Sequence, residues 1–87
     1  MRLLVVEDDA ALQATLLRTL ARRGFSVTAV GDGAAALQRW AGSAPDAVVL
    51  DLSLPGMDGL QVLSQARAQG LRTPVLVLTA RGTVGDR

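Results

Sequence analysis

Leu3-Leu4-Val5-Val6 and Ala47-Val48-Val49-Leu50 are unbroken apolar runs that each stop at a carboxylate, Glu7 in the first case and Asp51 in the second. Four apolar residues with no polar alternation form the pattern of a strand buried on both faces, and such strands belong to parallel sheets covered by helices. An acid at the end of a strand of this kind is costly to keep near the interior unless something uses it. If the two strands are neighbours, the acidic knot Glu7-Asp8-Asp9 and Asp51 converge, and convergent carboxylates suit a divalent cation.

The rest of the chain supports that sheet. From Ala10, Leu12, Leu16, Leu17 and Leu20 recur at helical spacing, with acids before the first turn, Arg22 and Arg23 at the end and Gly24 as the stop. Phe25 to Val30 is β-branched and aromatic enough for a second strand. Gly31-Asp32-Gly33 then turns the chain, and Asp32 can cap a helix running through Trp40. After the strand ending at Asp51, the Pro55-Gly56 step marks a loop. Leu60, Leu63 and Ala66 offer a helical face that Asp58 can cap, and Gly70 ends it. Pro74 precedes Val75-Leu76-Val77-Leu78-Thr79, read as a fourth buried strand, and Ala80 to Arg87 reads as a loop entering a helix. Strands alternating with helices imply right-handed crossovers and a parallel sheet with helices on both faces.

Composition narrows the chemistry. The 87 residues are enough for one small domain. Without Cys or His, there is neither a thiolate nor an imidazole, the usual nucleophile, base and metal ligand. Any chemistry therefore runs on carboxylates, hydroxyls, backbone amides and Arg. A net charge of +1, with nine scattered Arg and no Lys, is too small for a nucleic-acid footprint. No apolar stretch approaches the roughly 20 residues of a membrane span, and the N-terminus lacks the pattern of a signal peptide, so the expectation is a cytoplasmic protein with no membrane partner.

Three motifs in order carry a resemblance. Glu7-Asp8 after the first strand, Asp51 within Leu50-Asp51-Leu52-Ser53-Leu54-Pro55-Gly56-Met57-Asp58-Gly59, and Leu78-Thr79-Ala80 after the fourth strand resemble the receiver domain of bacterial two-component response regulators. The resemblance covers essentially the whole chain and implies a flavodoxin-like α/β fold, a parallel sheet of order 2-1-3-4 in a partial receiver domain over 1–87. It implies that Asp51 accepts a phosphoryl group from a sensor histidine kinase. It also implies Mg²⁺ held by Asp8 and Asp51, by Glu7 through water, and by the backbone carbonyl of Ser53, with Thr79 as the switch hydroxyl. The module would then be a phosphoacceptor and not a turnover enzyme. Its opening and its Leu78-Thr79-Ala80-Arg81-Gly82 segment look most like regulators whose receiver precedes a winged-helix DNA-binding domain, making the intact protein a transcription factor.

The chain also departs from that family. Receivers carry a Lys at the end of a fifth strand and an aromatic residue within it; here there is no Lys and no Tyr, and the sole Phe and Trp stand at positions 25 and 40. The expectation is a module truncated after its fourth strand, defective in switching, whose exposed fourth strand leads to a homodimer or strand-swapped oligomer and which binds no nucleic acid. Two alternatives are a self-associating, non-signalling fragment and a Mg²⁺-dependent phosphatase with an Asp nucleophile. The second is disfavoured because Ser53 stands where a haloacid dehalogenase-type enzyme needs a second Asp. Gly31-Asp32-Gly33-Ala34-Ala35-Ala36 fits a dinucleotide fingerprint, but it follows the second strand instead of the first.

Overall fold

The computed structural model describes residues 1–52, 54 and 56–78. In chain order the elements are β1 (Arg2–Val6), α1 (Ala10–Arg22), β2 (Ser26–Val30), α2 (Gly33–Ser43), β3 (Ala47–Asp51), α3 (Gly59–Ala68) and β4 (Val75–Leu78). The strands form one parallel sheet in the order β2-β1-β3-β4, a flavodoxin-like arrangement. Val6 lies opposite Val30 on one side and Leu50 on the other, so β1 is paired along both edges.

Each helix begins at an acid. Asp9 accepts hydrogen bonds from the N–H groups of Ala11 and Leu12 at 2.9 and 3.2 Å, and Asp32 accepts from Ala35 at 2.8 Å. Asp58 and Gln61 form a reciprocal capping box at the start of α3. These caps satisfy N–H groups that have no partner inside the helix, each worth about 1 kcal/mol. At the other end of α2, Ala44 adopts φ 47°, a left-handed conformation that usually selects glycine, while its N–H donates to the Trp40 carbonyl.

Strand alternation divides the side chains between two layers. Leu4, Val6, Val48 and Leu50 face α2 and α3 and form the main core with Ala36, Leu37, Trp40, Val62 and Ala66. Leu3, Val5 and Val49 point to the other side, where α1 crosses β1 and β2. That layer is thin, and no residue of α1 is buried. The expected apolar stripe of α1 is therefore only half covered, and Leu12 is exposed.

Two expectations need correction. The inward face of α3 is Gly59, Val62 and Ala66, with Leu63 beside it, while Leu60 is 62 % exposed. The reason is rotational, since at about 100° per residue positions 59, 62, 63 and 66 share one side of the helix and 60 falls beyond it. β4 is also not buried on both faces. Leu76 is 63 % exposed, and among the described residues β4 has a strand neighbour only in β3.

The parallel topology sorts charge as well. Among the described residues, every carboxylate except that of Asp46 stands at the C-terminal edge of the sheet, at a strand end or helix cap: Glu7, Asp8, Asp9, Asp32, Asp51 and Asp58. Arg2, Arg22, Arg23, Arg67 and Arg72 stand at the opposite edge. None of the described helices is long and apolar enough to cross a membrane.

Trp40 joins the layers at the centre of the larger core. It is fully buried, and its indole N–H donates to the Thr73 hydroxyl at 2.9 Å, tying α2 to the segment that leads into β4. Trp40→Ala should cost about 3–5 kcal/mol of folding stability through the cavity it leaves. Trp40→Phe should cost much less, because it removes the hydrogen bond but keeps most of the packing; urea denaturation of both variants checks this ordering.

Candidate functional site

Glu7, Asp8 and Asp51 come together because β1 and β3 are neighbours in register. With Val6 opposite Leu50, Glu7 just beyond β1 and Asp51 at the last position of β3 emerge side by side. One carboxylate oxygen from each of the three can be chosen such that all lie within 4.8 Å of one another. Glu7 and Asp51 are each only 2 % exposed, whereas Asp8 is open to solvent. Asp8 is not the cap of α1, a role that falls to Asp9.

The loop carrying the acids is held by backbone groups. The Glu7 N–H donates to the Val30 carbonyl at 3.0 Å, continuing the β1–β2 ladder one residue further. The Asp9 N–H donates to Oε2 of Glu7 at 3.0 Å. Gln13, one turn into α1, donates from Nε2 to the carbonyls of Glu7 and Val30 at 2.9 and 3.2 Å and so fastens α1 to the ends of two strands. Sequence reasoning passed over Gln13. Its only signal was a polar amide among the leucines of α1, close behind the acidic knot.

The second oxygen of Glu7, Oε1, is buried and lacks a hydrogen-bond partner. Its carboxyl is pushed above the usual carboxylate range, first by burial and then by the charges of Asp51 and Asp8, against the lowering effect of the Asp9 N–H. A buried acceptor left in this condition is a destabilising group. A hard, oxygen-seeking divalent ion would satisfy it and offset the mutual repulsion of the three acids, so the residues present fit Mg²⁺. The other two expected site residues, Ser53 and Thr79, lie outside the described residues.

The likeness to known proteins follows the same residues. The family model for the response regulator receiver domain matches residues 3–87. This chain belongs to that family. A response regulator named MprA from Mycobacterium avium (strain 104) is 48% identical over 87 residues, covering 100% of this chain and 38% of the relative. The chain therefore spans well under half of the curated relatives it matches. Among solved structures, the Francisella response regulator 1452 receiver domain superposes with a TM-score of 0.89 at 29% identity, over 95% of this chain and 69% of that one. The BeF3-activated N-terminal receiver domain of Klebsiella pneumoniae RstA gives 0.89 at 29% identity, over 95% and 70%. This chain is thus a receiver domain of a two-component response regulator, a signalling module.

The raised Glu7 carboxyl makes a signed prediction for the metal-free receiver. The folded chain binds this proton more tightly than the unfolded chain, so the stabilisation is complete below the ordinary Glu range and is lost as pH rises through the higher folded value. The metal-free chain should lose stability as pH rises above the ordinary Glu range, and Glu7→Gln should flatten that slope. Urea midpoints measured in chelator across the window check it, and the two chains having the same slope would contradict it.

Proposed function

We propose that Asp51 is the phosphoacceptor of this receiver and that a sensor histidine kinase supplies the phosphoryl group. The observation that carries this reading is the buried Asp51 carboxylate at the end of β3, beside Glu7 and Asp8. An oxygen of Asp51 attacks phosphorus, the P–N bond of the donor phosphohistidine breaks, and the imidazole leaves with the electron pair and takes up a proton, giving an aspartyl phosphate. Asp51 is a suitable nucleophile because β3 fixes its backbone while the pocket keeps its carboxylate among hard acceptors.

Asp8 and Asp51 would hold Mg²⁺ directly, Glu7 through a water and Ser53 through its carbonyl; when bound, the ion neutralises charge on the phosphoryl oxygens as they pass. Thr79 would donate its hydroxyl to a phosphoryl oxygen. The beryllofluoride-activated state of the RstA receiver supports the same chemistry here, since that group mimics phosphoryl on a carboxylate. In the intact protein the relatives named response regulators favour a cytoplasmic transcription regulator. A Mg²⁺-dependent phosphatase is disfavoured by Ser53, which stands where that chemistry needs a second acid.

The test uses a small phosphodonor with Mg²⁺ and intact-mass detection. A single acid-stable, base-labile phosphoryl adduct should form on the parental chain and be absent from Asp51→Asn and from samples treated with chelator. Adduct formation on Asp51→Asn at the parental rate would refute the assignment.

The exposure of Leu76 and Val77 on β4 favours a second property, pairing of that strand with another copy of the chain. Leu76→Lys should then shift sedimentation at micromolar concentration toward monomer. A parental chain that already sediments as a monodisperse monomer would remove this reading.

A further inference from the structure

Gly59 occupies the first position of α3, and its N–H donates to the Leu52 carbonyl at 3.0 Å. A Cβ built on Gly59 would stand 2.6 Å from the carbonyl oxygen of Asp51, 2.7 Å from Cα of Leu52 and 2.9 Å from Cδ2 of Leu52. Two of those three neighbours are backbone atoms, which cannot swing aside as the end of a side chain can. The same short segment is held from the other side, because Asp51 pairs with Leu78 and the Leu52 N–H donates to the Leu78 carbonyl at 3.2 Å. The peptide joining Asp51 to Leu52 is therefore clamped between β4 and the first turn of α3.

From this contact we propose that Gly59 is a positioning residue for the acidic pocket: the absence of a side chain lets α3 close onto the Asp51–Leu52 peptide and so sets where the Asp51 carboxylate stands relative to Glu7 and Asp8. The metal-binding part of the test rests on the function proposed for Asp51; the geometric part does not. Adding a methyl group forces one of two adjustments. Either α3 withdraws and gives up the Gly59–Leu52 hydrogen bond, or the peptide moves and carries the carboxylate with it. Since the β4 side resists, a displacement on the order of 0.5 Å at Asp51 is expected, which is the tolerance within which such constellations work.

Gly33 provides the control. A Cβ there would stand 2.8 Å from Cγ2 of Val62 and 3.0 and 3.2 Å from Cβ and Sδ of Met57, so it crowds the α2–α3 contact through side chains instead of through Asp51. Gly33→Ala and Gly59→Ala should both lower the melting temperature. Only Gly59→Ala should weaken Mg²⁺ binding by calorimetry, by about tenfold or more, as loss of support behind a metal ligand does. Gly33→Ala should keep the parental affinity to within about twofold, as for a site uncoupled from the pocket. If Gly59→Ala is largely unfolded in buffer, the titration is run in sucrose, which favours the folded chain. Equal affinities for Gly59→Ala and the parental chain, or equal weakening in both variants, would overturn the proposal. If the parental chain itself binds no Mg²⁺, the function proposed for Asp51 fails, and metal-free crystal structures decide on Gly59: an Asp51 carboxylate displaced from Glu7 in Gly59→Ala and unmoved in Gly33→Ala supports it, and an unmoved one in Gly59→Ala overturns it.

Discussion

The parallel pairing of β1 with β3, Val6 against Leu50, governs the rest of this structure. Because side chains alternate along a strand, this register sends Leu4, Val6, Val48 and Leu50 together into the larger core. It also leaves the next residue of each strand, Glu7 and Asp51, at the same height on the same edge. A slip of one residue would turn the apolar set of one strand away from α2 and α3 and separate the acids by a pleat. The core and the acidic pocket are thus two readouts of a single alignment. The apolar contacts supply the free energy that holds three repelling carboxylates within reach of one another.

Much of this alignment was legible in the chain itself. Short uninterrupted apolar runs bounded by acids have the pattern of strands covered on both sides, and the helical spacings between them pointed to a parallel sheet. That Glu7, Asp8 and Asp51 meet followed from strand order alone. The caps Asp9, Asp32 and Asp58 were equally visible, because capping depends on neighbours a few residues away.

What stayed hidden depends on contacts between elements distant in sequence. Leu60 looks like a core residue by type, yet Gly59, Val62, Leu63 and Ala66 take the inward side of α3 and leave it exposed. The run from Val75 looks buried by composition, yet exposure is decided by what lies beside and above a strand, and composition carries no record of that. Gln13 meets Glu7 and Val30 through two carbonyls, which every residue possesses and which therefore leave no trace in residue type. The left-handed Ala44 was equally unreadable, since alanine signals helix continuation and the helix stops at it regardless.

Among the described residues, the gathering of six acids at one edge of the sheet and five arginines at the other gives the molecule a property that its net charge of +1 conceals. The two poles make a permanent electric dipole directed along the strands, and the helix dipoles oppose it, since each helix runs back against the strands and presents its positive N-terminal end at the acidic edge. Side-chain charge exceeds those partial charges in number, so a cation diffusing nearby meets an attractive edge and a repulsive one. Its approach is oriented before any contact forms, and this bias shrinks once salt shortens the reach of the field to about 8 Å at physiological ionic strength. A chain almost neutral as a whole therefore behaves, at close range and low salt, as one with a front and a back.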